Sequence, residues 1–209
     1  IIVNGGTFTG FDPCNNAAEG KGTSFVAEGV GVDYDENGSF TAKAGMAAQV
    51  LDADGNSVKA FATLDEAFNA AIEGQTVRLL KDLTEDVTIG KNITLDLGGK
   101  TLTNTGAGKA TVYVPKDVKA TVKNGIVMGG GSYYNIAVGT EAVPGGELTL
   151  IGVTATAGND GSSMIDNWGT LTIKSGTYTG GVDTVKNEPN AKLTVDGGTF
   201  TLTKGTSKG

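Results

Sequence analysis

Short runs of alternating apolar and polar residues fill the second half of the chain, each broken by a Gly or Asn corner and resumed in the same phase. Leu193-Thr-Val-Asp-Gly-Gly-Thr-Phe-Thr201 is matched 22 residues earlier by Leu171-Thr-Ile-Lys-Ser-Gly-Thr-Tyr-Thr179. Leu148-Thr-Leu-Ile-Gly-Val-Thr-Ala-Thr156 lies 23 residues before that, and Ala120-Thr-Val-Lys-Asn-Gly-Ile-Val-Met128 another 28. Ile1-Ile-Val-Asn-Gly-Gly-Thr-Phe-Thr9 is a fifth copy. Alternation with period two on either side of a glycine corner predicts strand, bend, strand. A further short segment precedes two copies, at Met164–Asn167 and Val182–Asn187, which makes three strands per period. A period in the low twenties built this way predicts a β-solenoid: like positions stack, with Leu, Val and Ile in interior columns and Thr or Asn in ladders. Residues 76–203 would hold five or six coils.

Ahead of the first coil, Thr63-Leu-Asp-Glu66 reads as a capping box, followed by Phe68, Ala70-Ala71-Ile72 and Gly74. A short helix near residues 63–73 is expected, lying over the exposed end of the stack. Residues 10–61 carry Pro13, a polar stretch over 15–23, and turn signals for hairpins at Asp33–Ser39 and Asp52–Ser57. The expected division is therefore 1–61, an N-terminal strand with a β-rich connector or cap, and 62–209, the coils. Because residues 1–9 match 193–201, the chain reads as a segment of a longer array.

The run from Ala62 to Asn104 adds a resemblance. Its Thr-Leu-x-Glu-Ala helix, Leu79-Leu-Lys-Asp82 and Leu95-Asp-Leu-Gly-Gly-Lys-Thr101 resemble the opening of right-handed parallel β-helices of the pectin-lyase-like class. Modules of this kind recur in large bacterial surface proteins and phage tail-associated proteins. The fold class that this implies is all-β, a right-handed parallel β-helix over 62–209. The class is specific for fold and says little about activity.

Composition then narrows the chemistry. The 209 residues include 34 Gly and 4 Pro, no His, one cysteine (Cys14) and one arginine (Arg78), with net charge −7. His-dependent triads, zinc fingers and disulfide scaffolds are thereby excluded. The acidic balance argues against a nucleic-acid partner, since phosphate binding rests on Lys and Arg. No run approaches the roughly 18 apolar residues of a spanning helix, so no membrane insertion is expected.

Lyases of the resembled class imply a Ca2+ ion held by clustered carboxylates with an Arg or Lys base, and Arg78 is flanked by apolar residues that suit a salt bridge better. Hydrolysis would need paired carboxylates. Asp96, Asp117, Asp160, Asp166, Asp183 and Asp196 are dispersed, although Asp166 and Asp183 occupy corresponding segments and their stacking would bring two carboxylates together. Asp33, Asp35 and Asn37 followed by Gly38 reproduce the first half of a calcium loop, but Ala44 stands where the closing acid belongs. An acidic hairpin turn accounts for the same residues. Trp168, in the polar corner Asn167-Trp168-Gly169, with Tyr113, Tyr133, Tyr134 and Tyr178, forms a candidate aromatic platform for sugar rings; the alternative is that these rings shield neighbouring coils. Cys14 has no activating neighbour in sequence.

These observations favour a non-catalytic, extracellular module on a cell surface or virion: a structural stalk or adhesin whose partners are a host glycan or surface protein, with end-to-end packing of like modules. A polysaccharide lyase or hydrolase and a trimeric phage tail-spike segment are the alternatives.

Overall fold

The structure, a computed structural model, describes residues 1–20, 22–131, 134–158 and 161–203. Strands hold 43 % of the residues and helical turns 5 %, so the protein is all-β. Its contacts divide it into two compact units, one of Ile1–Lys81 with Ile93–Gly98, the other of Asp82–Asn92 with Gly99–Gly209.

In the second unit the repeats pair parallel and in register, in three ladders. The first runs through the N-terminal halves of Lys119–Met128 and Glu147–Thr156, then Thr170–Ile173 and Lys192–Val195, and superposes Ala120, Leu148, Leu171 and Leu193. Two residues on, Val122, Leu150, Ile173 and Val195 form a second apolar file, while Thr121, Thr149, Thr172 and Thr194 form an outer one. The alternation explains both: one set of side chains points into the stack, buried in every repeat but the last, and the other points out. The second ladder joins Leu83–Thr84, Thr101–Thr103, the C-terminal halves of the two long strands, Gly176–Thr179 and Thr199–Thr201. The third joins Val87–Thr88, Val112–Val114, Ile136–Val138, Ile165–Asn167 and Val185–Asn187. The long strands bend where backbones turn left-handed, at Asn124 (φ 58°) and one repeat later at Gly152 (φ 61°).

Polar groups at the corners are tied to the repeat above or below. Asn167, fully buried, donates through Nδ2 to Asn187 Oδ1 (2.7 Å) and Lys192 O (3.0 Å) and accepts from the Gly169 N–H (3.1 Å). Asn135 donates to the Val127 and Thr156 carbonyls at 2.9 and 3.0 Å. Such bonds satisfy backbone groups that a corner withdraws from the ladders.

The first unit pairs differently. Gly6–Thr9, Ser39–Lys43 and Gly31–Tyr34 form an antiparallel sheet in that order, over a small core of Val3, Cys14, Val30, Val32 and Ala42 with Phe8, Phe25 and Phe40 against it. Ala48–Leu51 lies antiparallel between Ser57–Phe61 and Thr76–Leu79, and Thr76–Leu79 pairs parallel with Thr94–Asp96. Both hairpins expected from the turn signals are present. The buried Gln49 amide links the two sheets, accepting from the Val32 N–H (2.7 Å) and donating to the Val32 carbonyl (2.8 Å).

The helix spans Leu64–Ala70, with Thr63 Oγ1 accepting from the Glu66 N–H at 3.3 Å. It buries Leu64 and Ala67 and packs within the first unit against Ala48–Leu51, Ser57–Phe61 and Thr76–Leu79. It is shorter than its apolar spacing suggests, because Ala71 turns extended (ψ 140°) and leaves Ile72 65 % exposed.

Two outcomes follow. Leu171→Ala, in the middle of a closed file, lowers unfolding free energy in urea by about 2–5 kcal/mol, and Leu193→Ala, 38 % exposed, by roughly half that or less. Burial, helped by Asp12, pushes the Cys14 thiol up to about 12, so alkylation at neutral pH labels it only when the protein is unfolded.

Candidate functional site

The third and first ladders meet at a corner whose backbone leaves no room for side chains. A Cβ on Gly169 would stand 2.3 Å from the Gly146 carbonyl oxygen, and one on Gly146 2.6 Å from that of Pro115. The turns therefore nest directly on one another, with Trp168 N–H donating to Val138 O (2.8 Å) and Gly145 N–H to Trp168 O (3.0 Å). Outside these turns lies a groove of about 680 Å³, walled by Trp168, Asp117, Lys119, Glu147, Asn190 and Lys192 among others. Lys119 and Glu147, partners in one ladder, form an exposed ion pair at 3.0 Å.

Trp168 is held rather than free. Its half-buried indole donates from Nε1 to Asp166 Oδ2 at 3.0 Å. Two residues apart along an extended chain, both side chains lie on the outer face of the third ladder. Asp166 is only 5 % exposed, and its other oxygen, Oδ1, has no hydrogen-bond partner among the described residues. Burial pushes its carboxyl above the ordinary value of 3.8; the Trp168 bond opposes this and the nearby Glu188 charge adds to it. In the next repeat Lys186 pairs with Glu188 at 2.6 Å, which raises the lysine's pKa.

The expected site residues separate into distinct places. Asp166 and Asp183 are not brought together as a pair: the strand register sets Asp166 between Ala137 and Lys186, and Asp183 instead accepts from Ser163 Oγ at 3.1 Å. The carboxylate that acts on Asp166 is Glu188. Tyr178 is corrected from platform to core. It is fully buried, stacked on Phe200 at 5.1 Å, with its hydroxyl donating to Ser175 O, and burial raises its phenol pKa. Tyr113 is half-buried on the outer file of the third ladder, next to Ala137 and two strands from Asp166. Tyr134, also half-buried, is near enough to act on the charge of Lys186. Tyr133 and Asp160 lie outside the described residues.

In the first unit, Asp33 pairs with Lys43 and accepts from the Ala60 N–H at 2.9 Å, whereas Asp35 accepts from the Asn37 and Ser39 N–H groups, both at 2.9 Å. These carboxylates close a hairpin, and no cluster of three potential metal ligands occurs among the described residues. Arg78 Nε lies 3.3 Å from Asp96 Oδ2, and Asp96 also accepts from the Gly98 N–H, so this pair braces a turn.

Sequence reasoning missed Glu188, Lys186 and the charged walls of the groove. Alternation within Ile165–Trp168 marks Asp166 and Trp168 as co-facial; the partners in the next repeat become visible only with the register. No family model, curated protein or solved structure matches the chain.

Trp168, the only tryptophan, reports on Asp166 directly. Its emission should titrate with a midpoint above 3.8, and Asp166→Asn should abolish the step. A carboxyl whose folded pKa is raised is bound to its proton more tightly in the native state. Asp166 therefore withdraws stability as pH rises through its folded pKa, a contribution that the asparagine variant lacks. Thermal melts between pH 3 and 7 (roughly the range over which a raised carboxyl titrates) check the sign, since Asp166→Asn gains on wild type toward neutrality.

Proposed function

We propose that the chain is a module of an extracellular stalk or adhesin, a right-handed parallel β-helix that carries a glycan-binding groove at the Trp168 corner and performs no catalysis. The observation that carries this reading is the indole fixed by Asp166 at the wall of an open, polar-edged groove. Sugar rings present C–H faces that pack on an aromatic face, and their hydroxyls need donors and acceptors around it. Lys192, Asn190 and Asp117 supply these here. A ring already immobilised loses little further freedom on binding.

The ladders support the stalk reading. Parallel strands in register make each repeat depend on its neighbours, a quasi-one-dimensional arrangement that gains stability by addition without disulfides or metals. An acidic, Thr-rich exterior suits a module kept dispersed at a cell or virion surface. Non-catalysis is favoured because three carboxylates near the groove are engaged: Asp166 orients Trp168, Glu188 neutralises Lys186, and Glu147 pairs with Lys119; Asp117 in the lining is then left without a second carboxylate to work with as an acid–base pair.

A glycan array should find a saccharide ligand for the intact protein, and Trp168→Ala should weaken it about tenfold or more, the value of a lost ring stack. Incubation with polyuronides should yield no unsaturated ends. An array without a hit would remove the groove's assignment, and chain cleavage would replace it with the lyase reading.

A further inference from the structure

The last described strands of the three ladders, Val185–Asn187, Lys192–Val195 and Thr199–Thr201, each pair with a preceding strand, and no described residue pairs with the other edge. Side chains that continue the buried files are uncovered there. Leu193, Val195 and Phe200 are 38, 48 and 37 % exposed, whereas Leu171, Ile173 and Tyr178 beneath them are 0 %.

The same sequence recurs at the other end of the chain, and with it the same local structure. Residues 1–9 and 193–201 share Val-x-Gly-Gly-Thr-Phe-Thr. Gly6 has φ 114° and Gly198 φ 126°, close to the 139° of Gly176 at the equivalent point of the preceding repeat. In all three the ring two residues on folds back over the glycine: an added Cβ would meet Phe8 at 3.8 Å, Phe200 at 3.4 Å and the Tyr178 hydroxyl at 2.9 Å. Gly6 and the Phe8 ring thus repeat the local geometry of Gly176 with Tyr178 and of Gly198 with Phe200.

What pairs with that conformation is visible in the first unit. Ser39–Lys43 runs antiparallel to Gly6–Thr9, with Phe40 opposite Phe8 and Ser39 opposite Thr9. The Gly10 N–H donates to Gly38 O at 3.4 Å, so Gly10 faces the Ser39–Lys43 side and its neighbour Thr9 faces away. In the last repeat the Gly180 N–H donates to Thr201 O at 2.9 Å, so Thr201, the counterpart of Thr9, faces the preceding repeat. Phe200 and Leu202 then direct their backbone groups to the open edge. The edge left open in one copy is the one that Ser39–Lys43 fills in the other, and no described strand pairs with the opposite side of Gly6–Thr9. Burial agrees: Val3 is 8 % exposed where its counterpart Val195 is 48 % exposed.

We propose that the open edge at Thr199–Thr201 is completed by residues 10–61 of a second copy of this sequence, through an antiparallel strand Ser39–Lys43 that sets Phe40 opposite Phe200, so that modules join head to tail. An exposed strand edge is a template for such addition, and the apolar residues around Phe200 supply the floor on which Phe25, Phe40 and Val32 of the incoming segment close. This inference rests on the stalk reading for its use, since a joint of this kind is what turns a module into a rod; it does not involve the Trp168 groove.

The test is a chain of residues 1–201 continued by a second copy of residues 10–98, which keeps the helix and the strands paired with Ala48–Leu51, compared with the intact protein by amide hydrogen exchange. Phe200 should exchange roughly a hundredfold more slowly in the continued chain, with Thr199 and Thr201 little changed, because only the former gains a partner. The appended copy of Cys14 should resist alkylation as the native one does. An appended segment that folds, by that thiol criterion, while Phe200 exchanges as before overturns the proposal. So does an appended segment that stays unfolded, since Gly198–Thr201 would then not replace Gly6–Thr9. Retained Trp168-dependent glycan binding in either case shows that the groove stands although the joint does not.

Discussion

Everything in the second unit depends on like residues lying over like residues along parallel hydrogen-bond ladders. A parallel ladder repeats every strand at about 4.8 Å, so a side chain is flanked above and below by whatever occupies the same phase of the neighbouring repeats. Leu148, Leu171 and Leu193 share such a file, as do Leu150, Ile173 and Val195. A repeat in isolation would bury little of this surface, whereas each added neighbour closes another layer, which is why the middle files are dry and the last ones are half-open. The same constraint forces glycine at the corner: turns stacked at strand spacing bring Gly169 against Gly145 and Gly146, and no Cβ fits between them.

Corners also concentrate the polar chemistry. Where the chain leaves one ladder for the next, backbone groups lose their partners, and Asn135, Asn167 and Asn187 provide substitutes through their side-chain amides. Asp166 stands at the edge of this network with one oxygen on the Trp168 indole and the other without a partner among the described residues. A buried carboxyl in that position is costly when ionised, and its retention beside the only indole ties the groove wall to the strand that carries it. The first unit solves a comparable problem differently, using the Gln49 amide to bond the Val32 backbone across two sheets and Asp12 to bind Ser57 through both its N–H (3.0 Å) and its hydroxyl (3.1 Å).

The sequence by itself determined the phase of the repeats, the inward files, the helix start at Thr63 and the two hairpin turns, because these depend on alternation, capping and turn chemistry within a few residues of one another. It also contained the signal that Tyr178 is internal: Thr177 and Thr179 flank it, and the alternation that turns them outward turns the ring in. Only the tertiary structure decided which outward residues meet. Successive repeats differ in length, so the offset from one ladder to the next is not constant; Leu148 and Leu171 superpose across 23 residues, while Asp166 superposes on Lys186 across 20. That difference sets Asp183 apart from Asp166 and brings Glu188 to it instead. Inward positions tolerate such ambiguity because any apolar residue suits a dry file, whereas a polar contact requires one particular partner at hydrogen-bond distance, and the register that supplies it is a property of the assembled stack.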